Sequence, residues 1–123
     1  MINRELDKSD ILLEKIIEGV IELKGKDITV LDLKNIETAV CKYFVICCGS
    51  SSTHVSSLSQ NIKKFVYNKI NEKPWNIEED NTSEWILLDY SDIVIHVFQE
   101  KTRSFYDLED LWGDAEIRKI ENI

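Results

Sequence analysis

The sequence contains few cysteines and histidines, and no apolar run approaches the ~20 residues of a membrane span. Its three cysteines, Cys41, Cys47 and Cys48, form no CxxC motif. The adjacent Cys47 and Cys48 fall in a predicted strand, where neighbouring side chains point to opposite faces and cannot easily share a metal ion. This cysteine usage is typical of a reducing cytosol. Since the chain also begins without the apolar core of a signal peptide, we expect a cytoplasmic protein outside any membrane.

Basic residues are scarce relative to acidic ones. Fifteen Lys and Arg stand against 23 Asp and Glu, which gives a net charge of −8. A protein that holds RNA or DNA alone needs Lys and Arg against the phosphates, so we expect no direct sequence-specific nucleic-acid binding. An acidic chain could instead meet a basic protein surface through complementary charge. An equally open interpretation is that the acidity only keeps the protein in solution.

Histidines and paired acids, the usual parts of metal and catalytic sites, are also sparse. His54 and His96 have no third ligand at a spacing that suits zinc. The junction from Gly49 to His54 resembles an anion site and is similar to the Gly-Ser step of nucleotidyltransferases. Those enzymes hold Mg²⁺ with paired carboxylates, whereas no DxD follows here, and Asp89 and Asp92 project wrongly across a turn. We therefore predict that the serines cap a helix, and we expect no catalytic residue, metal or cofactor.

Apolar periodicity predicts the element order α-β-β-α-β-β-β-α, and 123 residues suffice for one core. We expect one α/β domain with a mixed five-stranded sheet flanked by helices. The predicted limits are a flexible N-terminus over residues 1–9, the domain over residues 10–113 and a C-terminal tail over residues 114–123. Before the hairpin, the predicted strands are residues 27–33, 40–48 and 75–77. The last of these could lie at a sheet edge and pair two copies in a homodimer.

The first helix has recognisable ends. Ser9 or Asp10 is expected to cap its start, because both side chains can accept from the free first N–H groups. The helix is expected to run to about Lys24, after which Gly25 takes the left-handed conformation.

Two apolar runs, residues 85–90 and 93–98, are separated only by Ser91 and Asp92 and predict a tight hairpin. In that register Leu87 pairs with His96 and Trp85 with Phe98. One face is then nearly all apolar and is expected to be core: Ile86, Leu88, Tyr90, Ile93, Ile95 and Val97. The other face is mixed: Trp85, Leu87, Asp89, Val94, His96 and Phe98. On this face, His96 beside Asp89 could form an acid–base pair, a structural hydrogen bond or a partner contact.

The segment after the hairpin is helical by its spacing. Phe105, Leu108, Leu111 and Trp112 form one predicted apolar stripe, which Gly113 ends. Arg103 and Tyr106 fall off this stripe and are candidates for surface contacts.

Three sequence blocks together resemble one family. The strings YFVICCGSSSTHV, EWILLDYSDIVIHVF and RSFYDLEDLW occur in this order, and the match spans residues 11–112. They resemble the ribosomal silencing factor family, RsfS, also called Iojap. Three departures occur: Lys42 stands where the family usually has Asp, Asp80 where a Gly is common, and Ser91 where a turn Gly is usual.

The resemblance implies a nucleotidyltransferase-like fold without catalytic carboxylates and a role that is not enzymatic. Such proteins bind large-subunit ribosomal protein number fourteen, block association of the small and large ribosomal subunits, and so repress translation when nutrients are short. Two alternatives stay open. One is a factor for large-subunit assembly, and the other is a nucleotidyltransferase-like enzyme that uses the junction from Gly49 to His54.

We expect aromatic side chains to anchor the ribosomal partner, because interfaces favour Trp, Tyr and Arg. The predicted main contacts are Trp85, Tyr90, His96 and Tyr106. The predicted supporting contacts are Asp89, Arg103, Leu108 and Glu109. Tyr90 falls on the apolar face of the hairpin, but it ends its strand and could emerge at the rim.

Overall fold

The computed structural model describes residues 7–121, so most of the predicted flexible N-terminus lies outside the described residues. The elements in chain order are α1 (Lys8–Glu22), β1 (Lys26–Asp32), β2 (Tyr43–Gly49), α2 (Ser52–Ile70), β3 (Asn76–Glu79), β4 (Trp85–Asp89), β5 (Ile93–Gln99), α3 (Glu100–Tyr106), α4 (Leu108–Leu111) and β6 (Glu116–Lys119). Over residues 7–121, no helix is long and apolar enough to span a bilayer.

The strands form one mixed sheet in the order β3-β4-β5-β2-β1-β6. The central pair β2–β5 is parallel and the other neighbours are antiparallel, which confirms the predicted α/β architecture. The sheet has six strands where five were expected. The extra strand, β6, lies in the segment interpreted as a tail and pairs with β1. All its residues are exposed at the sheet edge, so no apolar run marks it in the sequence.

The two faces of the sheet carry cores of different size. On one face, α1 and α2 pack on the larger cluster, which includes Ile16, Val20, Ile62, Ile86 and Ile95. On the other face, a smaller cluster of Leu31, Leu33, Ile46, Phe98 and Ala115 is covered only in part by the short helices α3 and α4. The second face therefore leaves aromatic and apolar side chains near the surface.

The predicted hairpin register is confirmed. Leu87 pairs with His96 and Trp85 pairs with Phe98, and the turn between β4 and β5 holds Ser91 at φ 75°. The Oδ1 atom of Asp89 accepts from the Ser91 backbone N–H at 2.7 Å, which stabilises this turn. Alternation along the hairpin thus sorts one set of side chains into the larger core and the other onto the second face.

Both predicted ends of the first helix are wrong. Asp7 caps α1, with its Oδ1 atom accepting from the Ser9 N–H at 3.0 Å. At the other end Lys24, not Gly25, takes the left-handed conformation, with φ 59°. Gly25 is needed for space, because a Cβ there would lie 2.4 Å from Cγ1 of Val20.

The last predicted helix is broken in two. Asp107 has φ 46° and separates α3 from α4, so the expected single stripe is split. Leu108 and Trp112 pack against the smaller core, whereas Phe105 and Leu111 are exposed to solvent.

Candidate partner-binding site

A groove of about 400 Å³ lies on the second face, between the edge strand β3 and helix α3. We call it the acidic aromatic groove; its lining residues are Glu78, Glu79, Asp80, Trp85, Leu87 and Tyr106. Trp85 and Leu87 reach it because β4 alternates, with Ile86 and Leu88 buried on the opposite face. Since β3 is short and α3 ends at Tyr106, no element covers the groove within the described part of the chain.

Trp85 and Tyr106 form the aromatic wall of this groove. Their ring centroids are 4.7 Å apart, and Trp85 is also stacked on buried Phe98 at 4.9 Å. The Trp85 indole N–H donates to Nδ1 of His96 at 3.1 Å. Trp85 is therefore held in one orientation before any partner arrives, whereas Tyr106 is 49% exposed and presents its ring to solvent. Pre-organised aromatics lose little conformational entropy on binding.

Acidic side chains form the other wall. Glu78 and Glu79 belong to β3, and Asp80 follows directly. Glu78 is paired with Leu87 and shares its face, whereas alternation turns the Glu79 side chain away from the groove. All three are exposed, and none makes an ion pair among the described residues. None of these acidic residues was among the predicted contacts, and neither were Leu87, Phe105 and Leu111. A groove with aromatic and acidic walls suits a basic partner with apolar side chains.

His96 is not a surface contact, contrary to the prediction. It is 4% exposed, and burial lowers the pKa of its imidazole to about 4, so the ring is neutral at pH 7. Of the three alternatives for His96, a structural hydrogen bond is present, but it joins the ring to Trp85 and not to Asp89, whose carboxylate bonds the turn. His96 therefore supports Trp85 from beneath.

Tyr90 does not emerge at the hairpin rim. It is 5% exposed and belongs to the larger core on the helix face, where burial raises the pKa of its hydroxyl. Tyr90 continues the alternation of Ile86 and Leu88, so its side chain points into the larger core although it lies at the end of the strand. Tyr90 is thus a packing residue and not an available contact.

Arg103 is an internal anchor. Its guanidinium donates to the Asp27 carbonyl at 2.6 Å and to Oγ1 of Thr29 at 2.9 Å, and it also contacts Sγ of Cys48 at 3.3 Å. A further bond of 2.8 Å joins it to the Glu109 carboxylate. Arg103 and Glu109 therefore fasten α3 and α4 to the sheet and to each other. Through α3 they set the position of Tyr106.

Of the remaining predicted contacts, Leu108 packs partly buried against the smaller core and Asp89 sits half-buried at the hairpin turn. Only Trp85 and Tyr106 of the predicted set meet in the groove. Their role as partner contacts stays a prediction.

A sequence model described as "Ribosomal silencing factor during starvation" matches residues 6–123. The chain belongs to the ribosomal silencing factor family. Membership implies association with the ribosome in a regulatory role.

Two curated relatives in this family carry the name ribosomal silencing factor RsfS. The protein of Bacillus subtilis is 37% identical over 99 residues, which cover 80% of this chain and 81% of the relative. The protein of Halalkalibacterium halodurans is 31% identical over 112 residues, which cover 91% of this chain and 94% of the relative. A crystal structure of a Chromobacterium violaceum protein superposes with a TM-score of 0.80 at 28% identity, covering 87% of this chain and 88% of that one.

The junction that resembled a nucleotidyltransferase site is occupied by structural bonds in this member of the silencing factor family. The Ser51 hydroxyl accepts from the His54 N–H at 3.1 Å, which confirms the predicted cap of α2. Nε2 of His54 lies 2.8 Å from the Leu23 carbonyl, and its Nδ1 accepts from the Ser50 N–H at 2.9 Å. Nearby Cys47 is buried, and its pKa is raised to about 12 by burial. Among residues 7–121, no group of three or more His, Cys, Asp or Glu side chains is placed to hold a metal ion.

Lys42, which replaces the usual acid of the silencing factor family, joins α1 to the hairpin turn. Its Nζ atom lies 3.2 Å from Oγ of Ser9 and 3.3 Å from the Asp7 carboxylate. The Ser9 hydroxyl donates in turn to the Asp92 carboxylate at 2.7 Å. Lys42 therefore has an acidic partner at the start of α1, Asp7, and another at the hairpin turn, Asp92.

Proposed function

We propose that the acidic aromatic groove binds a basic surface of large-subunit ribosomal protein number fourteen, and that the bound domain blocks joining of the small subunit. The observation that carries the proposal is the pairing of an aromatic wall, Trp85 and Tyr106, with an exposed acidic wall. The protein would act in the cytoplasm as a repressor of translation under nutrient limitation. It would need no cofactor.

Charge and aromatic area have separate tasks in this proposal. The carboxylates steer a basic surface toward the groove and raise the association rate, an effect that salt screens over ~10 Å at 0.1 M ionic strength. Tyr106, Trp85 and the neighbouring exposed Phe105 supply the apolar area that holds the partner. Raising salt should therefore slow binding more than it speeds dissociation.

The bound domain would block subunit joining through its size alone. A compact chain of this length has a radius of gyration of roughly 14 Å, so a domain lodged on the joining face occupies a layer on the order of 30 Å thick. Two subunits cannot close over such an object, and no reaction is required.

Cosedimentation with purified large subunits tests the contact. Tyr106→Ala should weaken binding at least tenfold, ~1.4 kcal/mol or more, because it removes an interface anchor. The matched control is Ile117→Ala on β6, since Ile117 is 47% exposed, close to the 49% of Tyr106. Circular dichroism should show both variants folded. Equal pelleting of Tyr106→Ala and the control would contradict the proposed groove.

The two alternatives have distinct outcomes. If the protein pellets with large subunits but leaves subunit joining intact, the same contact serves assembly and not silencing. If nucleotides with Mg²⁺ raise the melting temperature, the junction from Gly49 to His54 binds them and an enzyme is favoured. We expect no such stabilisation.

A further inference from the structure

Charge is distributed unevenly along this acidic chain. Residues 38–71 contain no Asp or Glu, although 23 acidic residues occur in the whole sequence. This stretch includes all of α2, which carries Lys63, Lys64 and Lys69. The net charge of −8 therefore conceals one helix whose charged groups, His apart, are all basic.

A second groove, of about 750 Å³, lies beside this helix. We call it the lysine groove; it is lined by Lys63, Lys64 and Tyr67 of α2, by Lys73 and Pro74 of the following loop, and by Ile77 of β3. Tyr67 is exposed, and Nζ of Lys73 lies 5.2 Å from the centroid of its ring. Trp75, one residue beyond Pro74, is also exposed. Cations and aromatic faces are thus combined on one surface.

The edge strand β3 separates the two grooves. Ile77 lines the lysine groove, and its neighbour Glu78 lines the acidic aromatic groove. Consecutive residues of a strand point to opposite faces, and their partners Leu88 and Leu87 on β4 alternate in the same way. The two grooves therefore open on opposite faces of the sheet and carry opposite charge, so a partner in one leaves the other accessible.

We propose that the lysine groove binds the phosphate backbone of RNA, with bases stacked on Tyr67, as a second contact on the ribosomal particle. The proposal extends the family's ribosome association and does not depend on which protein fills the acidic aromatic groove. Three lysines match phosphates in charge, and an exposed aromatic beside them is the arrangement that single-stranded RNA uses. An acidic peptide would use the lysines but would gain little from the stacking surface.

The side chains of the lysine groove favour RNA binding that does not depend on base sequence. Asn61, which also lines the groove, already donates its amide to the Gly19 carbonyl at 2.9 Å and to the Glu22 carboxylate at 3.1 Å. Lysines contact phosphates as point charges, so binding should be independent of base sequence. With three phosphates neutralised, the logarithm of affinity should fall against the logarithm of salt with a slope of about −2.

The test uses the full chain, a fluorescein-labelled oligouridine and fluorescence anisotropy. Lys64→Glu/Lys73→Glu should lower oligouridine affinity at least tenfold, since it removes two of three phosphate partners and adds two repulsive charges. The matched control is Lys8→Glu/Lys119→Glu, which changes net charge equally at exposed positions outside the groove and should change affinity by less than about twofold. Tyr67→Ala should lower affinity several-fold because stacking is lost. If the double variant is unfolded by circular dichroism, Lys64→Gln/Lys73→Gln replaces it.

Three results would overturn the proposal. One is equal oligouridine affinity in the groove variant and its control. Another is an unchanged affinity in Tyr67→Ala. The third is displacement of the RNA by polyglutamate at equal charge concentration, which would assign the groove to an acidic protein. Tyr106→Ala should retain oligouridine binding, so failure of the aromatic groove and failure of the lysine groove are distinguishable.

Discussion

The variant Arg103→Ala tests whether Arg103 positions α3 and α4 on the sheet or contacts the partner directly. The Arg103 side chain is 12% exposed, and it links Asp27, Thr29 and Cys48 to Glu109. Truncation would leave the Glu109 carboxylate, itself 27% exposed, without its cation. It would also leave the Thr29 hydroxyl and the Asp27 carbonyl without the guanidinium donors. The last segment would lose its main polar attachment to the sheet.

The expected loss is about 3 kcal/mol of unfolding free energy. Hydrogen bonds to charged groups contribute ~1.5–3 kcal/mol each, and removal of one member of a buried pair costs ~3–5 kcal/mol. The lower end applies because water can reach part of Glu109. Arg103→Lys keeps the charge but cannot reach three acceptors in different directions, so we expect about half of that loss.

Urea unfolding monitored by circular dichroism measures the change in unfolding free energy. The control is Arg118→Ala at an exposed position of β6, which should change the unfolding free energy by less than about 0.5 kcal/mol. Because Arg103 positions α3 and thereby Tyr106, cosedimentation with large subunits should weaken in the same variant. Lost binding with unchanged stability would refute this reasoning and make Arg103 a direct contact.

Three further predictions concern the core. As pH falls from 6.5 toward 4, the unfolding free energy should fall by up to ~1.4 kcal/mol per pH unit, because the pKa of buried His96 is lower in the folded than in the unfolded chain. The difference in unfolding free energy between wild type and His96→Gln, measured by urea unfolding at each pH, should narrow over the same range. A constant difference would contradict the burial effect. Gly49→Ala should destabilise the fold by ~1–3 kcal/mol, because its Cβ would lie 2.8 Å from the Val55 nitrogen. Gly113→Ala, whose nearest contact is 3.3 Å, is the milder control in the same thermal-melt comparison. With its pKa raised to about 12, Cys47 should react with a thiol reagent in urea but not in buffer; because Cys41 is only partly buried, peptide mapping locates the reaction, and fast modification of Cys47 in the native protein would be the contrary result.

The alternation of apolar and polar residues was sufficient for the hairpin register, whereas the strand predicted over residues 40–48 begins only at Tyr43. The hairpin register followed from two apolar runs and a two-residue spacer, because only one register sorts the apolar residues to one face. The short, exposed strand β6 was missed because its sequence EIRK has no apolar run. Its partner β1 is also far away in the sequence, so no local pattern marks the pairing. The break at Asp107 was missed because a left-handed Asp is uncommon and no Gly or Pro marks the position.

The candidate site was only half visible in the sequence. Trp85 and Tyr106 could be chosen as aromatics near the mixed face, but the burial of His96 and Arg103 depends on which elements fold over them. The acidic wall was missed since β3 had to be placed at the edge beside β4 before its carboxylates could face the aromatics. Charge counted over the whole chain also hid the lysines of α2.

A sucrose gradient of purified small and large subunits, mixed with the protein in saturating excess, tests the central claim most directly. The account predicts that subunits stay apart with wild type and with Ile117→Ala, and that Tyr106→Ala needs at least about tenfold more protein to keep them apart. Normal joining in the presence of saturating wild type would contradict it.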